Sequence, residues 1–429
     1  MVQQYKTINR LLVVISFLLP FSLSAQPPGS NYDESKMPAY TLPDPLMMRD
    51  GKKVVAVEQW DNIQRPWLYH LFEENVYGRF PVNNINFSYS LTGIDSNAMH
   101  GKAIRKMVTV YFNENRDMKS SISLLMYLPK NGSKPVPVFL GMNFYGNHSV
   151  TIEKDIPISD KYRIDGKGIV NHRATDSSRG SQAHQWQVEE VLSHGYGLVT
   201  FFCGDAEEDN PDGWQTGIRT TLQKQLAIQP GEWGAIGAWA WALGRAMDYL
   251  EQDKSVSAKK VALIGHSRLG KAALWAAACD KRFSIVISNE SGEGGAALSK
   301  RWYGETVAII NEKFPHWFCS NYKKYNDNTD ALPVDQHMLL SLIAPRPLYV
   351  ASAMGDQWSD PKGEFLSAVN AGPVYRLFKK EGIGTNEMPP LNQPVGSTIR
   401  YHIRDGQHDV LLYDWKQYLS FADRQWGMD

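Results

Sequence analysis

The run VALIGHSRLGKAALWAAAC, residues 261–279, constrains this chain more than any other segment. Val261 to Ile264 form an apolar strand, and an Ala- and Leu-rich helix follows. Only Gly265, His266, Ser267, Arg268, Leu269 and Gly270 are left between them for the turn. A strand that passes into a helix this abruptly lifts the turn side chain above the carboxyl end of its sheet. The first N–H groups of the helix then face any negative charge that develops there. Ser267 therefore reads as a nucleophile rather than as a simple helix cap. The glycine spacing departs from the G-x-S-x-G string, because the second glycine comes one place late, at Gly270.

The rest of the chain supplies a sheet for that turn. Short β-branched runs recur as MVTVYF from Met107, SISLLMYLP from Ser121, VPVFLGMNF from Val136 and GLVTFFCG from Gly197. They continue as KKVALIGHS from Lys259, FSIVISNE from Phe283, RPLYVASAMGD from Arg346 and TIRYHIRDG from Thr398. Over residues 236–250, Ile236, Trp239, Leu243, Met247 and Leu250 recur at spacings of three and four, which predicts a helix. Continuous apolar strands alternating with helices predict an α/β fold, a mainly parallel sheet covered on both faces as a three-layer sandwich. The first two runs, joined by the polar turn NENRDMK, predict an antiparallel hairpin leading into it. Residues 51–429 read as one catalytic domain, residues 26–50 as an extended Pro-rich lead-in, and the polar insert 151–190 as loop rather than a second core.

Lys6 and Arg10 precede the apolar run Leu11 to Leu19, and Ser22, Ser24 and Ala25 follow it. This is the layout of a cleaved export signal over residues 1–25, too short for a membrane span. The expected protein is periplasmic or secreted, with no membrane association after cleavage. The whole chain carries 45 basic and 45 acidic residues, a balance unlike that of a nucleic-acid binder. An exported chain is free to form disulfides. Of Cys203, Cys279 and Cys319, the pair to test is Cys203 with Cys319, Cys279 reading as a buried small hydrophobe. No His or Cys spacing suits a metal, and no cofactor is expected.

A serine nucleophile on such a sheet needs a base and an orienting acid, following in the order Ser, acid, His. His408, in RYHIRDGQHDV after the last strand, is the candidate base; His402, inside the strand, is expected to be packed. Glu290 ends one strand and Asp356 another, and ligands bind at the carboxyl ends of strands in such sheets. Both remain candidate acids, with Glu290 favoured. The strand VPVFLGM runs into NFYGNH, where an N–H near Asn143 or Phe144 would help bind an oxyanion.

These residues resemble carbohydrate esterase family 15, the glucuronoyl esterases, in its bacterial branch. GHSRLGK is similar to the family's G-x-S-R-x-G-K signature, NESGEGG to its acid loop, DGQHD to its His loop and GDQW to its substrate tryptophan region. The similarity runs over roughly residues 40–429. Fungal members carry a disulfide between cysteines beside the nucleophile and the catalytic His; His266 and Asp409 stand there in this chain. The resemblance implies an α/β-hydrolase fold. It also implies hydrolysis of the ester between 4-O-methyl-glucuronic acid of glucuronoxylan and lignin alcohols; the protein is expected to be a monomer. Arg268 is expected to donate to the oxyanion. Lys271, one turn after Ser267, and Glu305 would bind sugar hydroxyls, and Trp358 would stack on the sugar ring. An acetyl xylan esterase or general carboxylesterase on the same fold is the nearest rival. A non-catalytic carbohydrate-binding protein is a remote one.

Overall fold

The computed structural model describes residues 29–81, 85–132 and 135–428. The expected export signal lies outside them. Ten strands form one sheet: β1 (Ser88–Asn97), β2 (Ala103–Tyr111), β3 (Ser121–Pro129), β4 (Val136–Asn143), β5 (Gly197–Phe202), β6 (Val256–His266), β7 (Ile285–Asn289), β8 (Leu348–Ala353), β9 (Val395–Gly396) and β10 (Ile399–Arg404). Their order across the sheet is β1-β2-β3-β5-β4-β6-β7-β8-β10-β9. From β5 to β10 neighbours run parallel, whereas β1 to β3 form an antiparallel ribbon joined to β5, and the short β9 closes the far edge antiparallel to β10. The early hairpin pairs Met107 with Leu125.

Side chains that alternate along each strand fill two separate cores, one on each face of the sheet. On β6, Val261 and Leu263 enter one core while Ala262 and Ile264 enter the other. Helices α1 (Arg65–Phe72), α2 (Ala235–Leu250), α3 (Arg268–Cys279) and α4 (Pro361–Leu377) cover the first face. Helix α5 (Leu412–Trp426) covers the second, through Trp415 and Tyr418. The apolar stripe read for α2 understates its burial, since every residue except Arg245 and Asp248 is buried. Gly237 and Gly244, on the same helix, are among them. Within the insert 151–190 the regular structure is a strand pair of two residues each, Ile169–Val170 with Arg173–Ala174, and short helices.

Cys203 and Cys319 do not pair, and all three thiols are free. Cys203 is enclosed in the first core at the end of β5, while the Cys319 thiol turns to the Glu74 carbonyl, 3.8 Å away. Cys279 is half-buried at the edge of that core rather than enclosed. Among the described residues no helix is long and apolar enough to cross a membrane.

The lead-in folds back onto the carboxyl side of the sheet. Asn31 pairs with Gly304 as an isolated antiparallel bridge, and Glu34 forms ion pairs with Arg301 and Lys362. Farther along, the Pro43 carbonyl meets His337 Nε2 at 2.8 Å, and Gln64 donates to the carbonyls of Pro45 and Met47. This strap lies against the segment that carries Glu305.

Candidate active site

Ser267 sits between β6 and α3 with φ 55° and ψ −134°, a conformation that costs an L-residue energy and that the surrounding fold must impose. Two glycines make the turn possible. A Cβ on Gly265 would lie 2.2 Å from the Leu269 carbonyl and 2.7 Å from Gly270 Cα. A Cβ on Gly270 would lie 2.9 Å from Ser291 Cβ. The late second glycine is thus the residue against which the first one packs, and it also admits the acid loop. Ser267 N–H donates to the Asn289 carbonyl at 2.9 Å, which ties the elbow to β7. Ser267 Oγ makes no hydrogen bond to a described residue, and nucleophile–base contacts are commonly loose without substrate.

His408 stands on the loop between β10 and α5, with 38 % of its side chain exposed. Its Nδ1 lies 2.6 Å from Asp356 Oδ2 and 3.1 Å from Glu290 Oε2. Asp356 comes from the turn after β8 and Glu290 from the end of β7. Both candidate acids therefore converge on one imidazole nitrogen. Burial disfavours the charged ring, but Asp356 and Glu290 overcome it and raise the His408 pKa to about 10. Burial pushes the Asp356 carboxyl up, yet its contacts with His408 and Ser359 hold it below its ordinary value. Glu290, more deeply enclosed, is raised by burial to about 7 in spite of His408 and Arg404.

Arg404, which the sequence reading did not single out, organises this corner. Its Nη2 donates to Glu290 Oε1 and to the Asp409 carbonyl, each at 2.6 Å. Nη1 donates to the carbonyls of Asp405 and Gln407, and Nε to both Asp414 oxygens. One buried guanidinium thereby fixes the residues on either side of His408. Glu364 does the same for the acid loop, accepting from the N–H groups of Ser291 and Gly292 and from the Ser352 hydroxyl. Burial raises its pKa to about 8.

His266 packs its ring 4.4 Å from that of His408. Asn289 Nδ2 donates to His266 Nδ1 at 2.9 Å and to the Asp409 carbonyl at 3.1 Å, while Asn289 Oδ1 accepts from Tyr418. The amide orientation is fixed by those partners, so Nδ1 is an acceptor and His266 a neutral imidazole. Burial, and then the charge of His408, drive its pKa well down. His266, Glu290 and His408 bring donor atoms within 4.8 Å of one another. His266 Nδ1 and both Glu290 oxygens already have protein partners, so this triangle is a poor seat for a metal. His402 is fully buried between Tyr349 and Asp414.

Arg268 begins α3, its Nε 2.5 Å from Asp209 Oδ2 and its guanidinium carbon 4.5 Å from the centre of the Phe144 ring. Asn143 is fully buried and uses its amide within the fold, on Asn147, Thr200 and Gly146. Lys271 lies one turn on, but its side chain turns inward. Its Nζ donates to the Ser291 and Glu293 carbonyls at 2.7 and 2.6 Å and to Glu305 Oε2 at 3.0 Å, which uses all three protons. The structure thus brings Lys271 and Glu305 together as a buried pair and leaves no ammonium proton for a ligand. Glu305 is also held through its N–H, which donates to the Trp358 carbonyl at 2.8 Å. Trp358 is half-buried, with Lys313 Nζ 4.5 Å above its ring. Tyr32, on the lead-in strap, packs beside Tyr303 on this wall. Burial, Asp356 and Glu305 raise its pKa.

Residues 208–378 match the family model described as "Glucuronyl esterase, fungi". A carbohydrate esterase from an unknown prokaryotic organism is 47% identical over 403 residues, which cover 93% of this chain and 93% of that protein. Among solved structures, a glucuronoyl esterase from Solibacter usitatus is 50% identical, covers 92% of this chain and 100% of its own, and superposes with a TM-score of 0.86. The chain belongs to the glucuronoyl esterases, carbohydrate esterase family 15. Glucuronoyl esterases are carboxylic ester hydrolases, and this one has the α/β-hydrolase fold. A 4-O-methyl-glucuronoyl methylesterase from Schizophyllum commune is 34% identical over 367 residues, 83% of this glucuronoyl esterase and 77% of that enzyme.

Proposed function

We propose that this glucuronoyl esterase cleaves the ester between 4-O-methyl-glucuronic acid of glucuronoxylan and an alcohol of lignin, through an acyl-enzyme on Ser267. Ser267 Oγ attacks the ester carbonyl as His408 takes its proton through the ring nitrogen remote from the acids. The protonated His408 then delivers that proton to the departing alcohol. Water enters, gives a proton to His408 and attacks the acyl group, which leaves as the free uronic acid while Ser267 recovers its proton. The single observation that carries this reading is the two-carboxylate grip on His408 Nδ1, at 2.6 and 3.1 Å, beside the strained Ser267 elbow. That grip fixes the tautomer and stabilises the imidazolium formed in each step.

Arg268 and the N–H groups opening α3 receive the oxyanion. A donor of this kind is worth about 2.7–4 kcal/mol in the transition state. On the sugar side, Glu305 accepts from ring hydroxyls, Lys271 holds it in place, and Trp358 stacks on the sugar ring. The enzyme acts as a monomer outside the cytoplasm, after loss of residues 1–25. The test compares hydrolysis of benzyl glucuronate with that of a simple acetyl ester, for the wild type and Ser267→Ala. A strong preference for the glucuronate that vanishes in Ser267→Ala is the expected result. Turnover of the acetyl ester alone would keep the nucleophile and discard the substrate. Silence on both would refute the catalytic reading.

A further inference from the structure

We propose that Asp209 is a positioning residue for the oxyanion, fixing the Arg268 guanidinium by its Nε edge so that the two terminal nitrogens remain for the ester carbonyl. This inference rests on the role given to Arg268 above.

Asp209 lies beyond the short helix Cys203–Ala206 that follows β5, far in sequence from the nucleophile and adjacent to it in space. Its side chain is 9 % exposed. Oδ2 lies 2.5 Å from Arg268 Nε. Oδ1 accepts from Trp317 Nε1 at 2.8 Å and sits 2.9 Å from His316 Nε2. Burial favours the protonated carboxyl, but Arg268, His316 and then Trp317 outweigh it and keep Asp209 ionised. Trp317 serves twice, since its ring centre is also 5.8 Å from the Arg268 guanidinium carbon and Phe144 flanks that carbon at 4.5 Å. The guanidinium is therefore held at its Nε edge by a charge and flanked by two aromatic rings.

The donor count gives the direction of the argument. Arginine has five N–H donors in a fixed plane. Here Nε pairs with Asp209 by charge at 2.5 Å, without the alignment of a hydrogen bond, and neither Nη group donates to a described residue. An arginine at the first helical position would otherwise sample several rotamers. Fixing it before the substrate arrives removes a reorganisation cost from the chemical step. A side chain that acts only through Arg268 should change kcat, leave KM nearly alone, and lose its effect once Arg268 is gone.

The experiment is a double-mutant cycle on benzyl glucuronate with Asp209→Asn, Arg268→Ala and the two combined. We expect Asp209→Asn to lower kcat about tenfold with KM within about twofold of wild type, and to change kcat by less than about twofold in the Arg268→Ala background. Equal losses in both backgrounds would show that Asp209 acts through packing and would overturn the proposal. A large loss for Arg268→Ala with none for Asp209→Asn would overturn it while leaving the Arg268 reading intact. An Arg268→Ala enzyme with wild-type kcat would overturn both. If Asp209→Asn does not fold, Trp317→Phe removes one donor to the same carboxylate, keeps a ring beside the guanidinium, and takes its place in the cycle under the same criteria.

Discussion

Two carboxylates on one imidazole nitrogen predict that neither is indispensable alone. Where a single Asp orients a catalytic His, its loss lowers kcat by about 10⁴, equivalent to about 5.4 kcal/mol at 1.36 kcal/mol per tenfold. In this enzyme Asp356→Ala leaves Glu290 Oε2 at 3.1 Å from His408 Nδ1, and Glu290→Ala leaves Asp356 Oδ2 at 2.6 Å. The shorter contact belongs to the more acidic group, so Asp356 should carry more of the orienting energy. We expect Asp356→Ala to lower kcat by about 10²-fold, Glu290→Ala by about tenfold, and the double variant by about 10⁴-fold, near the value for an unsupported His. Stability should follow the opposite order. Glu290→Ala takes a carboxylate from buried Arg404, which keeps Asp414. Breaking one arm of a buried ion pair costs about 3 kcal/mol at the low end of such cases. Steady-state kcat at saturating benzyl glucuronate, with denaturant unfolding of the same samples, reads both quantities. The reasoning is refuted if either single variant is as inactive as the double, or if the double retains wild-type turnover.

Two further outcomes follow from the same geometry. Lys271→Met leaves Glu305 without its cation in a buried site, so turnover of benzyl glucuronate should fall at least about tenfold while an acetyl ester is cleaved nearly as before. Equal losses on both esters would defeat the sugar-side assignment. Because Asp356 and Glu290 raise the His408 pKa, the imidazolium persists to higher pH and the free base needed for attack forms late. The acid limb of kcat/KM should therefore lie above the ordinary His range. Glu290→Gln removes one negative charge, disfavours the imidazolium and should move that limb to lower pH; a limb that does not move, or moves up, contradicts the electrostatic account.

The strands and the Ser267 turn were legible because their signals are local. Apolar runs and two glycines flanking a serine need nothing from the rest of the chain. The positions of Glu290, Asp356 and His408 were legible too, as loop residues at strand ends. Their relative weight was not, since it depends on a 2.6 Å against a 3.1 Å contact and on how deeply each carboxylate is enclosed. Helical spacing put Lys271 on the Ser267 side of α3 but could not show that three acceptors from the acid loop and Glu305 would draw its ammonium inward. Arg404 and Asp209 left no mark, because each acts on partners remote in sequence. A cysteine count similarly says nothing about direction: Cys203 points into the core and Cys319 toward Glu74.

The lead-in strap has a kinetic consequence. Asn31 donates to the Trp302 carbonyl across 271 residues, and Glu34 reaches Lys362 across 328. Contacts at such separation form late, after the loop between them has already been shortened by local folding. During synthesis the strap precedes everything it binds, and its contact with Lys362 waits until α4 has been made. The segment of the described chain that leaves the ribosome first is thus among the last to reach its place, and the sugar side of the site closes with it.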